Sequence, residues 1–159
     1  YYHTHALTIA RHPSETDTRM MARLLAFALN ANDALEFTRG ISTDDEPDIW
    51  QKSLSDEIEL WIELGQPEEK RLRKACARSQ VVKVYGYAPR VFDVWLAQNQ
   101  SAFSKLPKLQ VYQFNAVAID ELAQACQRSM QINVTIEDDN LLVNINDTSV
   151  SVQLQDSLR

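Results

Sequence analysis

The segment from residue 57 to residue 87 constrains the fold more than any other part of this chain. Residues 57–64 alternate, with an apolar side chain at every even position, which predicts a strand whose even face is buried in a core. Pro67 is typical of the first turn of a helix, and this helix is predicted to run to about Ser79. Residues 81–87 are rich in β-branched and aromatic side chains and predict another strand. A strand, a helix and a strand in this order indicate a βαβ unit.

The first predicted helix lies near the start of the chain. Ser14 is its predicted N-cap, Asp17 occupies the reciprocal position of a capping box, and good helix formers follow. Glu15, Arg19 and Arg23 lie four residues apart. They are therefore predicted to share one polar face of this helix.

The rest of the chain alternates between strand and helix signals. The further predictions are strands at 35–41 and 48–52, a helix from Pro89 to about Gln100, a strand at 109–114, a helix from Ile119, and strands at 131–137, 141–146 and 149–154. These elements predict an α/β fold with a mixed central β-sheet flanked by helices and with a C-terminal β-meander.

Length and composition narrow the class of protein. The chain of 159 residues, 45% hydrophobic and 24% charged, predicts one soluble domain over 1–159 with no membrane-spanning run. Cys76 and Cys126 are isolated and lack CxxC spacing, so we expect neither a zinc site nor a disulfide framework, and the cytoplasm is the favoured location. Because Tyr1 is not an initiator Met, we expect a chain truncated at its N-terminus.

The net charge, the spacing of the glycines and the spacing of the tryptophans each argue against one kind of nucleotide- or nucleic-acid-binding surface. The net charge of −6 argues against nucleic-acid binding through a globally basic surface, but a local basic patch remains compatible with it. The three glycines stand alone, whereas a Walker P-loop and a dinucleotide fingerprint both need clustered glycine. Trp50, Trp61 and Trp95 are widely separated and more typical of a core than of stacking platforms.

Two acidic residues stand out beside the predicted strands. Asp48 follows Pro47, and Glu63 comes fifteen residues later within the strand at 57–64. Carboxylates from neighbouring strands can share a divalent cation, because Mg²⁺ and Mn²⁺ prefer oxygen ligands and accept a few carboxylates together with water and phosphate oxygens. The pair is therefore a candidate metal site, while Asp48 alone is also typical of a solvated acidic turn.

The spacing of these acids resembles the motif of the PD-(D/E)XK nuclease superfamily, and longer segments resemble the bacterial YaeQ family over nearly the whole chain. These segments are Arg11-His12-Pro13-Ser14-Glu15-Thr16, Arg19-Met20-Met21, Phe37-Thr38-Arg39-Gly40, Asp45-Glu46-Pro47-Asp48, Leu60-Trp61-Ile62-Glu63-Leu64-Gly65 and Lys74-Ala75-Cys76. The resemblance implies a variant of the nuclease-like fold in a small bacterial protein, with a further opening strand before Tyr1.

The resemblance also implies a site. It makes Asp48 the first metal carboxylate, Glu63 the second, and the backbone carbonyl of Leu64 a further ligand of Mg²⁺ or Mn²⁺. Glu15 would match the acid that many members of the superfamily place on their first helix. In the superfamily a lysine follows the second acid by two residues, and this chain has Gly65 there.

Lys74, on the helix that follows, is the first candidate to replace the missing lysine, ahead of Lys70 and Lys83. The same lysine belongs to a basic run at 70–74 that is also typical of a solvated helix face. Glu15 likewise has a second interpretation, since a carboxylate in the first turn of a helix is stabilised by the helix dipole without any catalytic role.

Two functional hypotheses follow. The first is a divalent-metal-dependent nuclease or related phosphodiesterase, in which the ion would activate water and stabilise charge on the phosphate. The second is a non-catalytic module that binds nucleic acid or a protein of the transcription or repair machinery, and Gly65 and the net negative charge favour it. A basic rim of Arg11, Arg19, Arg23 and Arg39 would suit phosphate, although arginines also pair with neighbouring acids.

Overall fold

The computed structural model describes residues 2–7, 15–38, 45–126 and 130–158. Strands and helices alternate through these ranges. They are β1 (Tyr2–Leu7), α1 (Asp17–Leu29), β2 (Leu35–Phe37), β3 (Ile49–Lys52), β4 (Ile58–Leu64), α2 (Glu69–Arg78), β5 (Ser79–Gly86), α3 (Pro89–Phe103), β6 (Leu109–Phe114), α4 (Ala116–Gln124), β7 (Ile132–Glu137), β8 (Asn140–Ile145) and β9 (Thr148–Asp156).

The strands of the described residues form one mixed sheet in the order β1-β7-β8-β9-β6-β5-β4-β3-β2. β4, β5 and β6 are parallel neighbours, and every other pair is antiparallel. The βαβ unit predicted from residues 57–87 is confirmed as β4-α2-β5. The predicted meander is confirmed as β7-β8-β9, and β9 joins it to β6.

The first helix starts later than predicted. Thr16 is its N-cap, with Oγ1 accepting a hydrogen bond of 3.2 Å from the backbone N–H of Arg19. Ser14, the predicted N-cap, lies outside the described residues. Asp17 is thus the first helical residue, and a threonine three positions before Arg19 supplies the cap.

The other helices differ from prediction only at their ends. α3 continues to Phe103, and α4 begins at Ala116 instead of Ile119. No helix in the described residues is both long and apolar enough to cross a membrane.

Two hydrophobic cores lie on opposite faces of β4, β5 and β6. On one face, α1 and α4 pack together with the inner faces of β7, β8 and β9, which curl around them. On the other face, α2 and α3 pack against Trp61, Val82, Val84 and Val111. The alternation of β4 assigned a core to its even face alone, whereas α2 and α3 also bury the odd face; there Trp61 is 2% exposed, which confirms its predicted place in a core.

Gly86, the last residue of β5, allows a close approach by α3. A β-carbon at this position would lie 2.2 Å from Cδ1 of Phe92, whose side chain is fully buried. Overpacking of a core typically costs 1–3 kcal/mol. We therefore expect Gly86→Ala to lower the free energy of unfolding by about 2 kcal/mol in urea titrations.

The exposed residue Gln80 on the same strand provides the control. Gln80→Ala is expected to change the free energy of unfolding by less than about 0.5 kcal/mol. Equal stability of Gly86→Ala and the parent would show that Phe92 can move away from β5 without loss.

Candidate functional site

The candidate carboxylates lie where the parallel strands β4 and β5 end. β3 pairs with β4 in antiparallel register, with Ile49 opposite Ile62, so Asp48 lies beside the end of β4. The Asp48 backbone N–H donates to the carbonyl of Ile62 at 3.1 Å. In open α/β sheets, ligands bind outside the carboxyl ends of parallel strands. The predicted site therefore occupies the edge of the sheet where a ligand is expected.

Three of the buried polar residues are the three predicted carboxylates. Glu15, Asp48 and Glu63 are 5%, 6% and 5% exposed. Burying an ionised carboxylate is costly unless the group is paired and hydrogen-bonded. Each of these three contacts at least one arginine.

Asp48 has a partner on each carboxylate oxygen. Oδ1 accepts from Nη2 of Arg19 at 2.6 Å, and Oδ2 accepts from the backbone N–H of Leu64 at 2.9 Å. These contacts fix Asp48 against the end of β4. They also place its charge beside the N–H of Leu64, whereas the ligand that the family resemblance implies is the carbonyl of the same residue.

Glu15 is held by two arginines of α1. Arg23 donates from Nε to Oε2 at 3.0 Å and from Nη2 to Oε1 at 2.9 Å, which is a bidentate contact. Arg19 donates from Nη1 to Oε2 at 2.9 Å and so bridges Glu15 and Asp48. The guanidinium of Arg23 also lies over the ring of Phe37, 4.8 Å from its centroid.

These contacts bear on the predicted basic rim. Arg19 and Arg23 lie on α1 and both contact Glu15, but Glu15 precedes the N-cap Thr16 and so does not lie on the helix face that the spacing predicted. The two guanidinium groups are bound to carboxylates. Arg11 and Arg39, the other predicted members, lie outside the described residues. The rim prediction therefore stays untested at those two positions.

Glu63 lies on the face of β4 that packs against α2, opposite the face that packs against α1. Its Oε1 accepts from Nε of Arg71 at 2.5 Å, while Oε2 is buried without a hydrogen-bond partner in the described residues. Burial raises the pKa of Glu63, and the nearby charge of Asp48 acts in the same direction. Arg71 opposes this rise in pKa, and so does the indole of Trp61, whose Nε1 does not reach hydrogen-bond geometry.

Gly65 has a backbone conformation that explains why no lysine stands there. Its φ is +89°, and its N–H donates to the carbonyl of Tyr85 at 3.0 Å. A side chain in the left-handed region costs roughly 1–2 kcal/mol. A lysine at this position would therefore strain the end of β4.

The basic residues proposed to replace that lysine lie in different places. Arg71, which the sequence did not single out, is the residue that contacts Glu63. Lys74 and Lys70 are exposed on α2. Lys83 donates instead to Oδ1 of Asn30 at 2.7 Å, at the far end of α1.

Tyr87, just after β5, is a further residue at this site that the sequence did not predict. Burial raises its pKa, and Arg19 acts in the opposite direction. Asp48 and Glu15 add to the rise in pKa, so the phenol lies within the electrostatic reach of both carboxylates. Only the tertiary fold brings Tyr87 to this place, since no local motif marks it.

An open groove of about 980 Å³ lies along α2. Its charged lining residues are the basic Lys70, Arg71, Lys74 and Arg78 and the acidic Asp45 and Glu68. Arg71 belongs both to this groove and to the ion pair with Glu63.

Comparison with known proteins identifies relatives along nearly the whole chain. Residues 1–154 match the family described as YaeQ protein. The chain is 39% identical over 149 residues to the YaeQ protein of Salmonella typhi, covering 94% of this chain and 82% of that protein. It is 38% identical, with the same coverage, to the YaeQ protein of Escherichia coli K12. Both relatives are described as uncharacterized.

Solved structures agree with this comparison. The crystal structure of the YaeQ protein from Xanthomonas axonopodis pv. citri superposes with a TM-score of 0.90 at 43% identity, covering 98% of this chain and 88% of that one. The YaeQ protein from Pseudomonas syringae superposes with a TM-score of 0.86 at 36% identity, covering 94% and 82%. The family resemblance predicted from the sequence is thereby confirmed, and the chain belongs to the YaeQ family.

Proposed function

We propose that this protein is a divalent-metal-dependent phosphodiesterase acting on nucleic acid, with a variant of the PD-(D/E)XK nuclease site at Asp48 and Glu63. The observation that carries the proposal is the buried Oε2 of Glu63. It has no hydrogen-bond partner in the described residues and belongs to a carboxylate whose charge is only partly offset by Arg71. A buried oxygen of this kind suits a cation ligand.

The donor set fits a hard cation that keeps most of its coordination for water and substrate. No cluster of three or more histidine, cysteine or acidic side chains suited to a metal occurs in the described residues. The proposed ligands are instead the two carboxylates with the Leu64 carbonyl, the set that the family resemblance implies for Mg²⁺ or Mn²⁺. Mg²⁺ is commonly bound by one or two carboxylates together with substrate phosphates.

Each neighbouring residue has a proposed role. A bound ion would lower the pKa of a water molecule and offset charge on the phosphate. Arg71 would donate to a phosphate oxygen in place of the missing lysine, because its guanidinium adjoins Glu63 and also lines the groove. Glu15 would position Arg19 against Asp48. Lys74 would contact the substrate beyond the reacting phosphate.

The test compares Glu63→Gln with Glu59→Gln. Both glutamates lie on β4, but Glu59 is only partly buried and accepts from Nε2 of Gln51 at 3.0 Å, which a glutamine at 59 can still do. We expect Glu63→Gln to weaken Mn²⁺ binding at least about tenfold by calorimetry. Cleavage of labelled single- and double-stranded oligonucleotides should fall by about 100-fold.

The control is expected to match the parent in both assays. Cleavage by Glu63→Gln at the parental rate would refute the proposed role of Glu63. Circular dichroism and urea titration of each variant establish that a loss of binding reflects the site and not the fold.

A second function is favoured by the contacts of Asp48. Both of its oxygens have protein partners, and the three carboxylates are matched by Arg19, Arg23 and Arg71. An Asp48 already bound on both oxygens suits a non-catalytic module that binds nucleic acid or a protein partner. Binding of a partner in EDTA, with no turnover in Mn²⁺, would support this alternative.

A further inference from the structure

Helix α2 concentrates positive charge in a protein whose net charge is −6. Five of its ten residues are basic and one is acidic. Local charge of this density attracts polyanions even when the whole protein is acidic.

The basic residues that face the groove follow one line along the helix. Lys70, Lys74 and Arg78 recur at every fourth position. At about 1.5 Å of rise per residue, neighbouring charges are about 6 Å apart and the line spans about 12 Å. This length exceeds one phosphate group and suits several successive phosphates of a strand.

The groove also has a fixed wall. Nη2 of Arg71 donates to the carbonyl of Glu46 at 2.8 Å, and Nη1 of Arg78 donates to the carbonyl of Asp45 at 3.1 Å. These bonds tie the two loop residues to α2. The groove is therefore a surface built before any ligand arrives.

The side chains of the groove favour binding to the phosphate backbone of a nucleic acid over binding to its bases. Trp61 lies at its floor with the guanidinium groups of Arg71 and Arg78 at 5.9 and 5.3 Å from the ring centroid, but the ring is buried and offers no stacking face. Lys70 and Lys74 are exposed and form no ion pair within the described residues. Their ammonium groups remain available to solvent-side anions, and the four basic residues outnumber Asp45 and Glu68.

We infer that the groove along α2 binds the phosphodiester backbone of a nucleic-acid strand and directs it past Arg71 to Glu63. The inference rests on the proposed function for the identity of the polyanion as nucleic acid. The groove itself supplies sequence-independent contacts, since phosphate contacts fix position and register without reading bases.

The experiment measures binding without catalysis. The anisotropy of a labelled oligothymidylate of about twelve nucleotides is followed in EDTA over a range of salt concentrations, with the whole chain. The variant Lys70→Gln/Lys74→Gln is compared with the parent and with Arg73→Gln/Lys105→Gln. The latter pair removes two exposed cations that do not line the groove, and Arg73 pairs with Glu69 at 3.5 Å.

Loss of two phosphate contacts should reduce the slope of log K against log salt by about 1.4, or about 0.7 for each contact. If affinities converge near 1 M salt, this corresponds to about 25-fold weaker binding at about 0.1 M. The control should keep the parental slope. Urea midpoints matched among the three proteins exclude unfolding as the cause.

The outcomes separate the two proposals. An unchanged slope in Lys70→Gln/Lys74→Gln, or an equal loss in the control, would overturn the inference. Stronger competition by inorganic polyphosphate than by oligothymidylate at equal charge would overturn the assignment to nucleic acid. The predicted loss of slope together with no cleavage in Mn²⁺ would support the groove and refute the catalytic proposal.

Discussion

Replacement of Glu15 by glutamine is expected to lower the free energy of unfolding by about 3–5 kcal/mol. The Glu15 side chain is 1% exposed and pairs with Arg19 and Arg23, which are 18% and 13% exposed. Glutamine keeps the shape of the side chain and one acceptor oxygen but removes the charge. Arg19 then keeps its contact with Asp48, while Arg23 loses the charge of its bidentate partner, so the loss reflects buried positive charge that Glu15 no longer compensates. Urea titration at neutral pH measures it.

Glu69→Gln is the matched control for Glu15→Gln. Glu69 occupies the first turn of α2 and pairs with Arg73 on the surface, at 3.5 Å and with 30% and 61% of the two side chains exposed. Its replacement should change stability by less than about 1 kcal/mol. A loss of nuclease activity in Glu15→Gln without a loss of stability would instead favour the catalytic role that the family resemblance implies for Glu15.

Arg71→Gln is expected to lower the free energy of unfolding by about 3 kcal/mol at neutral pH, with a smaller loss in acid. Arg71 opposes the rise in the pKa of Glu63 that burial causes, so the variant leaves a buried carboxylate with a still higher pKa. The unfolded chain releases this proton near the ordinary pKa of about 4.3. Stability is therefore lost as pH rises from that value through the raised pKa of the folded state, and is constant above it.

The double variant Arg71→Gln/Glu63→Gln tests this reasoning. It removes both charges, so most of the stability lost in Arg71→Gln should return, and the difference from Glu63→Gln should not depend on pH. A deficit of Arg71→Gln that is the same at all pH values would show that lost packing of the arginine, and not the charge of Glu63, is responsible. Urea titrations at pH values on either side of the ordinary glutamate pKa provide the comparison.

The sequence predicted most strands because their signal is local. Alternation over 57–64 follows from the two-residue period of a strand, and β4 lies at this position. The same signal does not tell how many faces of a strand are covered. Trp61 and Glu63 are buried because α2 packs on them, and that packing depends on the whole βαβ unit.

The sequence predicted the acidic residues of the candidate site but not most of the residues that contact them. Glu15 and Arg19 are four residues apart, and their predicted proximity is confirmed. Arg19 and Asp48 are twenty-nine residues apart and meet only after α1 packs against the sheet. The contact of Arg71 with Glu63 likewise requires the chain to turn back after β4.

The end of β4 shows why a missing motif residue is hard to interpret from sequence. Gly65 departs from the nuclease pattern, and a sequence alone does not reveal its positive φ. The tertiary structure supplies both the reason for the glycine and a neighbouring cation, Arg71. Whether that cation acts in catalysis stays a prediction.

The pairing of β1 has a consequence for the order in which the chain folds. β1 forms its ladder with β7, and Leu7 pairs with Ile132, so 125 positions separate them. At about 5–20 residues per second, a ribosome needs roughly 6–25 s to make the intervening chain. During that time α1, the βαβ unit and β6 can already associate, whereas β1 stays unpaired until β7 has been made. β1 is thus made well before its partner strand and is among the last of the described strands to be incorporated into the sheet.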